Sequence, residues 1–206
     1  MKRRLSASQA LQKLKLGNRR FVTGHGGHKG HVGPPQGDGS IRQQHPIAIV
    51  LGCSDSRVPA EMVFDLGFGD LFVIRVAGNI VAPSQIASVE FAASRFGVRL
   101  ALVLGHTECG AVQATIDEIQ KESPEKDGSL RSIVDRVRPA VENLLSNRTG
   151  IDQETLIRDA VRANIHASVS QLSHGSQVIR HLIENGELQV NGAEYSLDTG
   201  EVEFFD

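Results

Sequence analysis

Ile47-Ala-Ile-Val-Leu-Gly-Cys-Ser-Asp-Ser-Arg57 and Leu100-Ala-Leu-Val-Leu-Gly-His-Thr-Glu-Cys109 are the two similar stretches that decide the fold of this chain. Each begins with five apolar residues and continues with a glycine and a side chain that can bind a metal. Leu71-Phe-Val-Ile74 is a third apolar run of the same kind. Short, continuously apolar runs are typical of strands buried on both faces, and such strands occur in parallel sheets.

Helical patterns separate and follow these runs. The predicted helices span residues 60–66, 84–96, 110–119, 129–146, 152–173 and 178–184. Because strands and helices alternate, the sequence predicts an α/β fold with a mainly parallel sheet flanked by helices.

The two ends of the chain have other patterns. Residues 6–22 predict an N-terminal helical arm capped by Ser6 or Ser8, and the Gly-, Pro- and His-rich stretch 24–44 predicts a long loop. Near the C-terminus we expect extended strands at a sheet edge, broken at Gly192 and Gly200. These strands are predicted over residues 188–190, 195–197 and 202–204.

Length and charge limit the domain count and the function. A chain of 206 residues fits a single domain over 1–206, with an arm and loop over 1–45 and an α/β core over 46–206. Its 22 Lys and Arg against 24 Asp and Glu lack the basic excess of a general nucleic-acid binder, so no nucleic-acid partner is expected.

No membrane span is expected either, because apolar runs such as 47–51 are far shorter than the roughly 20 residues that cross a bilayer. The charged start Lys2-Arg3-Arg4 is not followed by an apolar signal-peptide core, which predicts a cytoplasmic protein. A leader removed before Met1 would leave no trace, so the periplasm and an organelle stay as alternatives.

The residues that follow the apolar runs 47–51 and 100–104 predict a zinc site. Ligands of open α/β sheets bind beyond the carboxyl ends of the strands, so Cys53 and His106 lie side by side if their strands are neighbours. Asp55 follows Cys53 by two residues, and Cys109 follows His106 by three. Zinc accepts thiolate, imidazole and carboxylate ligands. Asp55 has two possible roles, as a fourth ligand or as a hydrogen-bond acceptor that Arg57 holds ionised.

Two motifs carry a family resemblance. Cys53-Ser-Asp-Ser-Arg-Val58 and Gly105-His-Thr-Glu-Cys-Gly-Ala111 resemble the β-class carbonic anhydrases, and both match at the family's spacing. The resemblance continues over most of the chain. Further similar segments are Gly17–Phe21, Gly69–Asn79, Ser88–Ala92 and Gly186–Phe204.

The resemblance implies reversible hydration of CO₂ to bicarbonate and a proton by zinc-bound hydroxide. It implies one zinc ion per chain, held by Cys53, His106 and Cys109, with hydroxide or Asp55 in the fourth position. Asp55 and Arg57 match the catalytic dyad of the family. The positions that match its substrate side are Gln44 as a hydrogen-bond donor, Phe72, Ala77 and Phe91 in an apolar pocket, and Gly110 where the backbone approaches the metal site.

The resemblance also implies assembly into a homodimer, and often a homotetramer, because members complete each active site with residues of the partner. We expect the arm over 2–21 and the helix that carries Phe91 to make this contact.

Other interpretations stay open at the level of sequence. A hydrolase on the same scaffold could act on COS or CS₂, and a noncatalytic zinc protein could switch Cys53 and Cys109 between metal and disulfide. A thiol-nucleophile enzyme could use Cys53 with His106, but it would leave Cys109 unexplained. The cluster of His25, His28 and His31 predicts a solvated loop more readily than a metal tract.

Overall fold

The apolar runs form the centre of a five-stranded sheet. This computed structural model describes residues 4–25, 44–121, 128, 130–147 and 152–205. The strands are β1 (Ala48–Gly52), β2 (Leu71–Arg75), β3 (Leu100–His106), β4 (Gln189–Tyr195) and β5 (Val202–Phe204). Their order is β2-β1-β3-β4-β5, and all neighbours are parallel except the antiparallel pair β4 and β5. The predicted mainly parallel α/β fold is therefore confirmed.

Helices cover both faces of this sheet. They are α1 (Ala7–Val22), α2 (Ala60–Val63), α3 (Pro83–Phe96), α4 (Gly110–Gln120), α5 (Arg131–Asn147), α6 (Gln153–His174) and α7 (Gln177–Glu184). A short 3₁₀ turn over Ala77–Asn79 follows β2. The bounds agree with the predicted helices except at α2, which ends at Val63 rather than at residue 66. Asp65 has a φ of +46°, which a helix does not accommodate.

The strands bury alternate residues in two separate cores. Ile49 and Leu51 of β1 face a core that includes residues of α3 to α7, whereas Ala48 and Val50 face a second core with α1 and α2. Every residue of β1 and β3 is buried. This two-sided burial explains why both strands read as continuous apolar runs.

Helix α1 packs against the sheet of its own chain. Ser6 caps it in a reciprocal capping box with Gln9. Buried Asn18 donates hydrogen bonds to Val63 O at 3.2 Å and Gly200 O at 2.9 Å, and its Oδ1 accepts one from Val202 N at 2.9 Å. The predicted arm is thus fixed at one point to both α2 and β5. Most of the predicted loop over 24–44, with His28 and His31, lies outside the described residues.

The C-terminal strands differ from the prediction. The expected break at Gly192 is wrong, because β4 continues through this residue. A Cβ at Gly192 would lie 2.9 Å from Ile165 Cγ2, so glycine here permits close helix packing rather than a turn. The expectation of extended strands at a sheet edge is confirmed, however: β4 and β5 pair antiparallel, and β5 forms one edge of the sheet.

An arginine joins α6 to the C-terminal strands. Arg162 Nε donates to Glu194 Oε2 of β4 at 2.9 Å, and the guanidinium also hydrogen-bonds to Glu203 of β5. Glu194 is only 5% exposed, and its Oε1 is without a hydrogen-bond partner among the described residues. Within the described ranges, no helix is long and apolar enough to cross a membrane.

Candidate metal centre

The candidate metal centre lies at the carboxyl ends of β1 and β3. These strands are parallel neighbours, and Gly52 is in register with Leu104. Cys53 directly follows β1 and His106 is the last residue of β3, so the two side chains meet as the sequence predicts. Cys109 joins them as the residue that precedes the first turn of α4. The adjacent strand ends therefore bring together residues that are far apart in the sequence.

Cys53, His106 and Cys109 form a buried triple. One ligand atom from each residue lies within 4.8 Å of the other two, and the two Sγ atoms are 4.0 Å apart. The exposed fractions of the three residues are 5%, 0% and 1%. Both cysteines are free thiols. Two thiols and an imidazole converging in this way form a donor set that suits zinc.

The imidazole of His106 presents one nitrogen to this triple. Its Nδ1 lies 2.8 Å from Thr107 O, and a carbonyl can only accept, so we assign the ring proton to Nδ1. Nε2 is then an acceptor, and it is buried with no hydrogen-bond partner in the described part of the chain. Buried polar atoms are nearly always satisfied, so this orphaned nitrogen indicates a ligand. The residues present thus fit a zinc ion.

The two thiols lie within hydrogen-bond distance of each other, with 4.0 Å between their Sγ atoms. The hydrogen bond with Cys109 lowers the pKa of Cys53 to about 4, against the opposing effect of burial, and the hydrogen bond from Gly78 N adds to the lowering. The same contact and burial raise the pKa of Cys109. The lowered pKa favours the thiolate form of Cys53, which is the form that binds a metal ion.

Asp55 and Arg57 form an ion pair beside the triple. Arg57 Nε donates to Asp55 Oδ1 at 3.0 Å and Nη2 donates to Oδ2 at 2.8 Å, while the backbone N of Arg57 also donates to Oδ1. These hydrogen bonds hold the pKa of the Asp55 carboxyl well below its usual range. Asp55 Oδ2 is 3.8 Å from His106 Nε2, so an ionised, oriented carboxylate faces the metal ligands.

Three contacts at this site were not predicted from the sequence. Gly78 N donates to Cys53 Sγ at 3.3 Å from the turn after β2. Arg75 donates to Cys53 O at 3.1 Å and to Asp55 O at 2.5 Å, which fixes the backbone of the first motif. A backbone N–H donor cannot be predicted from residue types. Arg75, by contrast, is a charged residue at the end of an apolar strand, and this pattern can be recognised in the sequence.

The remaining predicted residues lie around this centre rather than in it. Ala77 directly precedes Gly78, and Gly110 begins α4 directly after Cys109. A Cβ at Gly110 would meet nothing within 4 Å, so crowding by described residues does not require glycine there. Phe72 is in register with Ile49, four residues before Cys53, and its ring centroid lies 6.2 Å from that of Phe91. Exposed Gln44 precedes β1.

Comparison with known proteins gives the family. A family model described as carbonic anhydrase matches residues 48–202. The structure is similar to the crystal structure of the β-carbonic anhydrase CafA of Aspergillus fumigatus, with a TM-score of 0.74 and 26% identity over 97% of this chain and 90% of that chain. This chain belongs to the β-carbonic anhydrase family.

Two further comparisons show how far the similarity extends. Carbonic anhydrase 2 of Mycobacterium tuberculosis is 37% identical over 191 residues, which cover 93% of this chain and 89% of the relative. The fold also matches a tetrameric β-carbonic anhydrase of Sordaria macrospora, with a TM-score of 0.71 and 24% identity over 80% of this chain and 82% of that chain. The chain is an enzyme of this zinc-dependent family, and its buried Cys-His-Cys triple can bind the metal.

Proposed function

We propose that this protein, as a carbon–oxygen lyase, catalyses the reversible hydration of CO₂ to bicarbonate and a proton with one zinc ion per chain. The observation that carries the proposal is the buried triple of Cys53, His106 and Cys109, in which His106 Nε2 has no partner among the described residues. When bound, zinc supplies a nucleophile derived from water near neutral pH. Three protein ligands leave a position open for it, as in other catalytic zinc sites.

In this proposal Asp55 orients the nucleophile. The carboxylate faces the triple and remains ionised because Arg57 donates two side-chain hydrogen bonds to it. An ionised Asp55 accepts a hydrogen bond from the attacking oxygen and directs its lone pair toward CO₂. Since Arg57 stabilises the carboxylate form, Asp55 acts as an acceptor and does not take up the proton that the reaction releases.

The substrate side of the site involves the residues that match the family's apolar pocket. We propose that Phe72, Ala77 and Phe91 provide an apolar environment for CO₂, that the backbone approaches the metal site at Gly110, and that Gln44 donates a hydrogen bond to the substrate. Gln44 and Phe91 are exposed in the single chain. They therefore need a partner chain to enclose them.

The same exposure supports a homodimer as the minimal unit, with a homotetramer as the larger assembly. Phe91 is 54% exposed, and its ring packs edge-on against Phe96 at 5.6 Å between centroids. Strand β2 lies at the edge of the sheet beside Phe91. An exposed aromatic group next to an unpaired strand edge is suited to burial against a second copy. We also propose the cytoplasm as the compartment, because its reducing conditions keep both thiols available for zinc.

Stopped-flow CO₂ hydration from pH 7 to 9, with zinc assayed in the same preparation, tests this function. We expect rapid turnover with about one zinc per chain. Cys53→Ser, His106→Ala and Cys109→Ser should each lose zinc and activity together, whereas the control His174→Ala, outside the triple, should keep both. Bound zinc without CO₂ turnover across this pH range would overturn the proposal and favour an assay with COS or CS₂.

A further inference from the structure

Two polar side chains interrupt the apolar face of α6. Asn164 and Ser168 are each only 2% exposed, and they lie one helical turn apart, so they face the same neighbour. This neighbour is the 3₁₀ turn over Ala77–Asn79. Asn164 Nδ2 donates to Gly78 O at 2.8 Å, and Ser168 Oγ donates to Asn79 O at 3.1 Å. Helix α6 therefore satisfies two successive carbonyl groups of the turn.

The turn has a backbone conformation that needs support. Gly78 has a φ of +69° and Asn79 a φ of +44°, so two successive residues lie in the left-handed region. Such conformations persist where the surrounding structure fixes them. Asn79 Nδ2 does not fix the turn, because this buried atom has no hydrogen-bond partner in the described residues. The two hydrogen bonds from α6 provide a fixed anchor.

The same turn contacts a metal ligand. Gly78 N donates to Cys53 Sγ at 3.3 Å, and this contact contributes to the low pKa of the thiol. A hydrogen bond to a ligating sulfur orients it and stabilises its negative charge. The position of Gly78 N depends on the turn, and the turn is anchored by α6. Asn164 and Ser168 thus act on Cys53 through one intervening backbone segment.

We infer that Asn164 and Ser168 are positioning residues that set the zinc affinity by directing Gly78 N at the Cys53 sulfur. This inference rests on the proposed zinc site. In the described part of the chain, these two side chains hydrogen-bond to the turn and not to a metal ligand, so we expect their effect on the metal to come through the turn. Removal of either hydrogen bond frees the turn from one anchor and weakens the contact between Gly78 N and Cys53 Sγ.

Zinc competition with a chromophoric chelator tests the inference in Asn164→Ala and Ser168→Ala. We expect about 10-fold to 100-fold weaker zinc binding, the range found when partners of metal ligands are removed. The sulfur-to-metal charge-transfer band of the Co²⁺-substituted protein should shift as well. Ser173→Ala is the matched control, because the Ser173 hydroxyl of the same helix donates only to Val169 O in its own helix. This control should bind zinc within about twofold of wild type.

A second control separates positioning from loss of stability. Leu172 is fully buried on α6 and belongs to the core, so Leu172→Ala should lower the melting temperature while leaving the Co²⁺ band unchanged. If Asn164→Ala does not fold, the zinc affinities and Co²⁺ bands of Ser168→Ala and Ser173→Ala still test the positioning role. Unchanged zinc affinity and an unchanged band in the folded variants would overturn the positioning role alone. A wild-type chain that binds no zinc would overturn the proposed function as well.

Discussion

The two residues of the ion pair beside the metal site have different roles. Arg57 keeps the Asp55 carboxylate ionised, and Asp55 faces the metal ligands. The guanidinium is half-exposed, and its Nε and Nη2 donate to the carboxylate, while Nη1 lies 3.8 Å from Glu108 Oε2. The carboxylate is mostly buried and faces His106. Because a bidentate pair is rigid, it orients whatever hydrogen-bonds to the free lone pairs of Asp55.

Replacement of Asp55 should separate metal binding from catalysis. We expect Asp55→Ala to retain zinc, because the triple does not include this residue, and to lose at least about 100-fold in kcat/KM. Stopped-flow hydration on zinc-assayed protein measures both quantities. Asp198→Ala, at an exposed carboxylate away from the motifs, should behave as wild type. Loss of zinc in Asp55→Ala would show instead that Asp55 is a ligand.

At the residue scale the sequence predicts the side chains that hold the metal, because spacing and strand ends determine them. Cys53, His106 and Cys109 do meet as predicted. Gly78 was not predicted, since its contribution is a backbone N–H set by a left-handed turn. Asn164 and Ser168 were not predicted either, although a signal exists: both are polar residues on the helix face between Val161 and Leu172, where apolar residues are expected.

At the scale of elements, one buried amide of α1 joins this helix to two other elements. Asn18 satisfies groups of α2 and β5 together with the bend before β5. Asn18→Ala would leave several of these buried backbone groups without partners, so we expect a loss of about 1–3 kcal/mol in the free energy of unfolding. Urea denaturation measures this loss. Thr23→Ala removes only hydrogen bonds within the end of α1, and an equal loss in that control would contradict the role of Asn18.

Glu194 should make the stability depend on pH. Burial raises the pKa of this carboxyl, and Arg162 opposes the shift without cancelling it. At a pH just above the ordinary pKa of glutamate, Glu194 keeps its proton in the folded chain but has lost it in the unfolded chain. The contribution of Glu194 to the free energy of unfolding therefore falls as the pH rises through its folded pKa. Relative to Glu194→Gln, the wild type should therefore lose stability as the pH rises above about 4, the ordinary pKa of glutamate.

Urea denaturation of both proteins at several pH values measures this effect. The other carboxyls titrate in both proteins, so their contributions cancel in the difference between the two free energies of unfolding. A stability difference that stays constant with pH would show that Glu194 has an ordinary pKa in the folded chain.

The elements themselves show which features a sequence can predict. Strands β1 and β3 are continuous apolar runs and the helices have periodic apolar patterns, and their predicted bounds agree with the structure to within a few residues. The order of the strands and the continuity of β4 are set by packing between distant segments. Gly192 resembles a strand break in isolation, but Ile165 of α6 occupies the space that a side chain would need.

At the scale of the whole molecule, the exposed aromatic group beside β2 should be covered by a partner chain. Phe91→Asp should lower the molar mass measured by light scattering after size-exclusion chromatography. An aspartate without an opposite charge is costly to bury, so the substitution should weaken the contact between the two chains. Leu130→Asp is the matched control, since Leu130 is equally exposed at 54%. A mass unchanged by Phe91→Asp, or lowered equally by both substitutions, would contradict the proposed contact at Phe91.

The pairing of β3 with β4 has a consequence for the order in which the enzyme matures. Thr107 N donates to Tyr195 O, and the Thr107 carbonyl in turn holds the His106 ring. The ribosome synthesises Cys53 long before Tyr195, so an emerging polypeptide has its first sulfur ligand well before its histidine is fixed. Because domains fold as units, we expect metal loading to follow the completion of the sheet. Zinc uptake by a nascent chain would thus report that its final strands have docked.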